Sequence, residues 1–375
     1  MRIPSPKGVP FDQVPALSLP EVTGQVLKGI DQKNNLIVTN FANGDVIGHT
    51  ANNTAKVRCA EVVDQHLGRV VEAAQAAGYV TMITADHGNL EEMITPEGTP
   101  HVSHTTNPVD FILIDPHSAT QPVLQDGKLA DVSPTILSAL GIAQPGMMDG
   151  IPLSTGFDWG GKRRVLLIIL DGWGIGREDA TNPIFLANIP KWDRLRKEYP
   201  ACRLAASGEA VGLQQGKAGN SEAGHINLGS GRIVLQDDVR LDAAMKDGSF
   251  FTNEIFLDTI AEVKQRGSSL HLLGLLTEKS SHGSIDYPLA LLKMAQQNGL
   301  ENVFLHVIFD GRSTEPGSAP ILLEKLEAQM SAIGIGRVVT GLGRGIALDR
   351  DGNYAKIKRA YDALVWGVGK TCVMD

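Results

Sequence analysis

Two short stretches constrain this chain more than anything else in it. The largely apolar run 79–83 leads into Thr84-Ala85-Asp86-His87-Gly88-Asn89, and the wholly apolar run 165–170 leads into Asp171-Gly172-Trp173-Gly174. A continuous apolar run closed by a glycine turn reads as a strand buried on both faces. Strands of that kind belong to α/β sheets, which present their chemistry just beyond the carboxyl ends of the strands. Beyond each of these two ends stands a carboxylate, once with an imidazole beside it. For Asp86-His87 taken alone, a solvated strand end with two polar residues is the alternative.

The rest of the chain alternates in the same way. Helices are expected over 22–30, 54–77 and 131–140, with strands over 35–39, 79–84, 111–114 and 165–170. The stretch 40–49 reads as a loop. From about residue 238 the order is regular: helix 253–266, strand 270–275, helix 288–299, strand 303–309, helix 319–333, strand 338–340 and helix 354–365. The fold class is α/β, with two parallel sheets. Residues 150–164, glycine-rich and without period, look like a linker.

At 375 residues the chain has material for two or three domains. Its net charge of −8 argues against nucleic acid or an acidic membrane face as partner. Cys59, Cys202 and Cys372 are isolated and odd in number, the pattern of a reducing compartment. No signal-peptide pattern and no membrane-length apolar run is visible, so a cytoplasmic enzyme is the expectation.

The hard ligands at strand ends and in the following loops are Asp45, His49, Asp86, His87, His104 and Asp171. Mixed oxygen and nitrogen donors suit Mn²⁺ or Zn²⁺, and the set is large enough for two ions. Asp45 and His49 also read as a turn aspartate and a surface histidine, and His306 as a satisfied core histidine. Ser221, between Asn220 and Glu222 at a helix start, reads either as a plain N-cap or as a nucleophile at the positive end of that helix. Near a cation its hydroxyl would ionise more easily. His282, Arg312, Arg344 and Arg350 form a third group; arginines beyond strands 303–309 and 338–340 suit phosphate or carboxylate.

At this point the chain resembles the cofactor-independent (2,3-bisphosphoglycerate-independent) phosphoglycerate mutases of the alkaline-phosphatase superfamily. The matching stretches are 170–174, 219–225, 229–234, Asp310-Gly311-Arg312, Asp349-Arg350-Asp351, 43–49, 84–89 and 104–108. Their order differs from the family's: the Asp171 strand opens the family's proteins, and the Asp45 and Asp86 segments close them. The chain thus reads as a circular permutation joined near 154–164 and lacking a middle block. An Phe-Arg-x-Asp-Arg motif and a Glu-Lys-Tyr motif of the family are not found.

The resemblance implies an alkaline-phosphatase-like domain over 1–236 and a truncated transferase-like substrate domain over 237–375. It implies one metal on Asp45, His49 and His104, and a second on Asp171, Asp86 and His87 with Ser221 as ligand and nucleophile. Mn²⁺ is the expected ion, with Zn²⁺, Co²⁺ or Mg²⁺ as alternatives. His282, Arg312, Arg344 and Arg350 match substrate-contacting positions. Ser313 stands where the family has a catalytic aspartate, and only His282 survives from the family's motif around it. The implied activity interconverts 3- and 2-phosphoglycerate through a phosphoserine, as a monomer, in glycolysis. A metal-dependent phosphatase and an inactive rearranged paralogue are the alternatives.

Overall fold

The computed structural model describes residues 1–6, 8–118, 120–278, 283–349 and 351–370. The chain divides into two compact units, Met1–Gln236 and Asp237–Asp375, each with its own apolar core.

The first unit is built on strands β1 (Leu36–Phe41), β2 (Tyr79–Thr84), β3 (Val109–Ile114), β4 (Gly127–Lys128), β5 (Arg164–Leu170) and β6 (Ala201–Ala205). They form a six-stranded sheet in the order β1-β5-β2-β3-β6-β4. Strand β5 lies between β1 and β2 and is parallel to both. Three carboxyl ends therefore open side by side, although the chain between β2 and β5 is long. Every residue of β2 and β3 is buried, as their apolar content requires.

Helices α1 (Leu19–Asp31), α2 (Asn43–Gly48), α3 (Asn53–Ala76), α4 (Val132–Leu140), α5 (Pro183–Leu186), α6 (Pro190–Glu198) and α7 (Ser221–Ser230) complete this unit. Helix α3 starts at Asn52, whose side chain accepts the Ala55 N–H at 3.1 Å. It ends before Gly78, at φ +71°. Its Cys59, Val63, Leu67, Val70 and Val71 fill the core beneath the sheet.

Three expectations are corrected in this unit. The sheet is mixed: β3 runs antiparallel to both β2 and β6, because a non-helical connection returns the chain from β2. Part of the stretch read as a loop at 40–49 is helix α2. The segment read as a linker at 150–164 is packed into the unit: Ser154 and Trp159 are buried, and the Trp159 indole N–H donates to Ser138 Oγ at 3.0 Å.

The second unit holds β7 (Leu270–Leu276), β8 (Val303–Phe309) and β9 (Arg337–Gly343), a three-stranded parallel sheet in that order. Around it lie α8 (Asp237–Asp247), α9 (Glu254–Arg266), α10 (Asp286–Gln297), α11 (Ala319–Ile333), α12 (Arg344–Ala347) and α13 (Tyr354–Trp366). Helices α10 and α11 share one core with the sheet, where Leu289, Leu292, Leu322 and Leu326 meet Leu276, Leu305 and Val307. On the other face Leu273 is 58% exposed. There His306 bridges strands, joined to His271 at 2.9 Å and to the Thr340 hydroxyl at 2.7 Å. It is the satisfied histidine the sequence led us to expect. No helix among the described residues is long and apolar enough to cross a membrane.

Candidate metal centre

Each strand end delivers its polar residues to one place. After β1 the chain enters α2, which carries Asp45 in its first turn and ends on His49, one helical turn away on the same face. After β2 come Asp86 and His87, and after β5 comes Asp171. The loop before β3 supplies His104, and the start of α7 supplies Ser221.

Two sets of donors result. Asp45 Oδ1 lies 3.2 Å from His49 Nε2 and 3.1 Å from His104 Nε2, and the two imidazole nitrogens are 3.1 Å apart. In the second set, His87 Nε2 is 3.0 Å from Ser221 Oγ, 3.4 Å from Asp171 Oδ1 and 3.5 Å from Asp86 Oδ2. Ser221 Oγ is 3.3 Å from Asp171 Oδ1. The sets touch through Asp45, whose Oδ1 is 3.8 Å from His87 Nε2.

The donor set fits divalent cations on three observations. His49 Nδ1 faces the Val102 carbonyl at 2.8 Å and His87 Nδ1 faces the Gly88 carbonyl at 3.2 Å. A carbonyl only accepts, so both Nδ1 atoms carry hydrogen and each Nε2 lone pair is directed into the centre. Second, Asp86 Oδ1 accepts the N–H groups of His87 and Gly172 at 3.0 and 3.2 Å, while its buried Oδ2 faces the imidazole nitrogens of His225 at 3.1 Å and His87 at 3.5 Å. Third, donor spacings of 3.0–3.5 Å are what ligands about 2.1 Å from a shared cation would show.

Electrostatics agree. Burial works against the charge on Asp45, but hydrogen bonds from His104, His49 and Asn89 outweigh it and hold the carboxyl far below the usual range. Burial and the neighbouring carboxylates Asp86 and Asp45 push Asp171 upward. Burial also opposes a charged His87, yet Asp171, Asp86 and Asp45 carry it up to about 9. Asp45 likewise raises His49. The carboxylates thus favour a second proton on His87 and on His49, which a cation bound there would displace.

Sequence reasoning gave no role to His225. It lies one turn after Ser221 on α7, with Nδ1 2.9 Å from the Ser221 carbonyl and 3.1 Å from Asp86 Oδ2. Its hydrogen serves the carbonyl, so it stands over Asp86 and orients the Ser221 turn. The i, i+4 spacing from Ser221 was the available signal. Asn89 and Asn40 were also missed; they donate to Asp45 Oδ1 at 2.9 Å and to Asp171 Oδ2 at 2.8 Å. Asn220 caps α7 by accepting the Ala223 N–H at 2.8 Å. That leaves the Ser221 hydroxyl to the cluster rather than to the helix end.

The arginine group lies in the second unit. Arg344, at the end of β9, pairs with the buried Asp310 at the end of β8. The pair borders a cavity of about 270 Å³ that Gly311, Thr314, Ser318 and Gly343 also line. Arg312 and Ser313 are exposed. The Arg312 N–H donates to Asp310 Oδ1 at 3.3 Å. His282 and Arg350 lie outside the described residues.

Comparison with known proteins gives two family matches. Residues 1–144 match the Metalloenzyme superfamily, and residues 241–374 match the BPG-independent PGAM N-terminus. A 2,3-bisphosphoglycerate-independent phosphoglycerate mutase of Clostridium beijerinckii is 44% identical over 210 residues, 56% of this chain and 41% of that protein. The protein of the same name from Moorella thermoacetica is 44% identical over 208 residues, 56% of this chain and 40% of that protein. These matches thus span about two fifths of each relative's length. A solved Leishmania mexicana phosphoglycerate mutase at low cobalt concentration aligns with TM-score 0.43 and 24% identity, over 71% of this chain and 41% of that one.

Proposed function

We propose that this chain, a relative of the 2,3-bisphosphoglycerate-independent phosphoglycerate mutases, is a two-metal phosphoryl-transfer enzyme that interconverts 3- and 2-phosphoglycerate. The observation that carries the reading is the position of Ser221. Its hydroxyl sits at the N-terminus of α7, 3.0 Å from His87 Nε2 and 3.3 Å from Asp171 Oδ1, beside a second donor triad.

Asp45, His49 and His104 would hold one cation; Asp86, His87, Asp171 and Ser221 would hold the other, with Mn²⁺ the favoured ion. When bound, the cations supply positive charge that eases ionisation of the serine hydroxyl and offsets charge on the transferred phosphoryl oxygens. Ser221 Oγ then attacks phosphorus, the bond from phosphorus to the glycerate oxygen breaks, and glycerate leaves with a proton. The N–H groups opening α7 face the incoming phosphoryl group. Glycerate reoriented in its site takes the group back on its other hydroxyl. Arg312 and Arg344, with His282 and Arg350, are assigned to holding the substrate carboxylate and phosphate.

The swapped order of segments is part of the proposal. Its support is that a family model described as an N-terminus matches the C-terminal third of this chain, behind the metalloenzyme match. A monomeric enzyme of the cytoplasm is the accompanying expectation.

The test is incubation with 3-phosphoglycerate and Mn²⁺, followed by product analysis and intact-mass measurement. We expect 2-phosphoglycerate and one added phosphoryl group on the protein, and Ser221→Ala to abolish both. Inorganic phosphate released without 2-phosphoglycerate would overturn the mutase reading in favour of a phosphatase. Activity unchanged in Ser221→Ala would overturn both.

A further inference from the structure

Glu91 is buried, 1% exposed, and its hydrogen bonds go to Asn89, Gly174, Thr105 and Asn107, none of them a proposed ligand. Its carboxylate nevertheless joins three of the segments that carry the ligands. Oε2 accepts the Asn89 N–H at 2.8 Å, from the turn that bears Asp86 and His87. It also accepts the Gly174 N–H at 3.0 Å, from the turn that bears Asp171. Oε1 accepts the Thr105 hydroxyl and the Asn107 side-chain amide, the latter at 2.9 Å, from the loop that bears His104.

The surrounding backbone is shaped to this carboxylate. A Cβ on Gly174 would collide with the Glu91 carboxylate, and one on Gly88 with both that carboxylate and the Thr105 hydroxyl bonded to it. Backbone bonds also run between the same loops: the Asn89 and Leu90 N–H groups to the Gly172 carbonyl at 3.2 and 2.8 Å, and Thr105 N–H to the Gly88 carbonyl at 3.0 Å. Beneath the loop, the buried Lys56 amine donates to the carbonyls of His101 and Glu92.

Burying a carboxylate is costly unless hydrogen bonds replace its water. An apolar side chain would fill the space without that cost. What it could not do is fix the spacing of three turns from four directions through charge-assisted bonds. We infer that Glu91 is a positioning residue for the metal centre. It holds the turn of Asp86-His87, the turn of Asp171 and the loop of His104 at ligand spacing, so both cation sites depend on it. The inference rests on the two-metal reading above.

The experiment titrates the full-length metal-free protein with Mn²⁺ by calorimetry, and with Co²⁺ by visible absorption, which reports ligand geometry. Wild type, Glu91→Ala, Glu91→Gln and Thr105→Val are compared at a temperature where each is folded by circular dichroism. We expect Glu91→Ala to weaken both sites by about 10–100-fold, the range for lost outer-shell partners, and to alter the Co²⁺ spectrum. Glu91→Gln keeps the volume and one oxygen for the two N–H groups, so it should recover part of the affinity. Thr105→Val removes one of the two bonds to Oε1, leaving that of Asn107, and should weaken the His104 site more than the other. If Glu91→Ala does not fold, the Gln and Thr105 variants carry the same test. Variants that melt earlier but bind both cations with wild-type affinity would reduce Glu91 to a structural role and overturn the inference. Wild-type protein that takes up neither cation would overturn the two-metal reading, and this one with it.

Discussion

Gly224 lies where α7 crosses the Asp86 turn. A Cβ there would stand 2.8 Å from Asp86 Cβ and closer still to the Asp86 carbonyl oxygen. The crossing is therefore as tight as backbone allows, and Ser221 sits one turn away on the same helix. Gly224→Ala must lift α7 from the turn, so we expect a loss of about 1–3 kcal/mol in stability. Ser221 should separate from His87 at the same time. Gly229, on the same helix, meets nothing within 4 Å. Gly229→Ala should therefore stabilise the protein, by up to about 1 kcal/mol, through helix propensity alone. Thermal unfolding of the pair, with the yield of phosphorylated protein, checks both directions; equal effects would mean that helix content rather than contact with Asp86 matters. At this scale the sequence was most legible where chemistry is written in residue type. The carboxylates and imidazoles stood out because such residues are rarely buried without cause. Glu91, His225 and Asn89 did not stand out, because their role lies in which loop each one reaches.

Helix α3 supports the centre from below through Lys56, which is 0% exposed. Burial lowers its amine to about 8, against an attraction to Glu91 that works the other way. The sign follows directly. Between about 8 and the ordinary lysine value the unfolded chain binds a proton that the folded chain has released, so stability contributed by this group rises with pH across that window. Below it the folded protein bears the cost of a buried cation. We expect Lys56→Met to remove that slope, changing the wild-type-minus-variant difference by about 3 kcal/mol at most between pH 8 and 10.5. Denaturant unfolding of both metal-free proteins across this range measures it; parallel curves would mean that Lys56 titrates normally. Elements themselves were legible to the extent that periodicity speaks. Strand β2 and helix α11 appear at the expected residues, and α3 within one residue of each end. Direction was not legible: apolar content says that β3 is buried and is silent on which way it runs. Helix α2 was hidden by Gly44 and Gly48, poor helix formers. Both are small for tertiary reasons, since a Cβ on Gly44 would meet the Asp171 carbonyl oxygen at 2.5 Å and one on Gly48 would meet the Asn89 side chain.

For the whole molecule, the division of labour follows the division of the core. The buried cluster of the first unit lies wholly within Met1–Gln236, and that of the second wholly within Asp237–Asp375. Every proposed ligand, Ser221 and Glu91 belong to the first; Arg312 and Arg344 belong to the second. A unit with its own core and sheet can fold alone, so residues 1–236 expressed by themselves should bind the same number of cations with affinity within a few-fold of the full chain. They should also cleave a simple ester such as p-nitrophenyl phosphate, because attack by Ser221 needs only groups of that unit. They should not interconvert phosphoglycerates if the proposed assignment of Arg312 and Arg344 to the substrate holds, because both lie outside the fragment. Water then becomes the acceptor, and phosphate is the product. The measurement is cation stoichiometry together with product analysis on both substrates. A fragment that folds but binds no cation would mean that residues beyond 236 complete the centre. One that still makes 2-phosphoglycerate would remove the arginines from the reaction. Joining 1–236 to 237–375 again should convert a hydrolase into a mutase, and the ratio of 2-phosphoglycerate to phosphate measures what the second unit contributes.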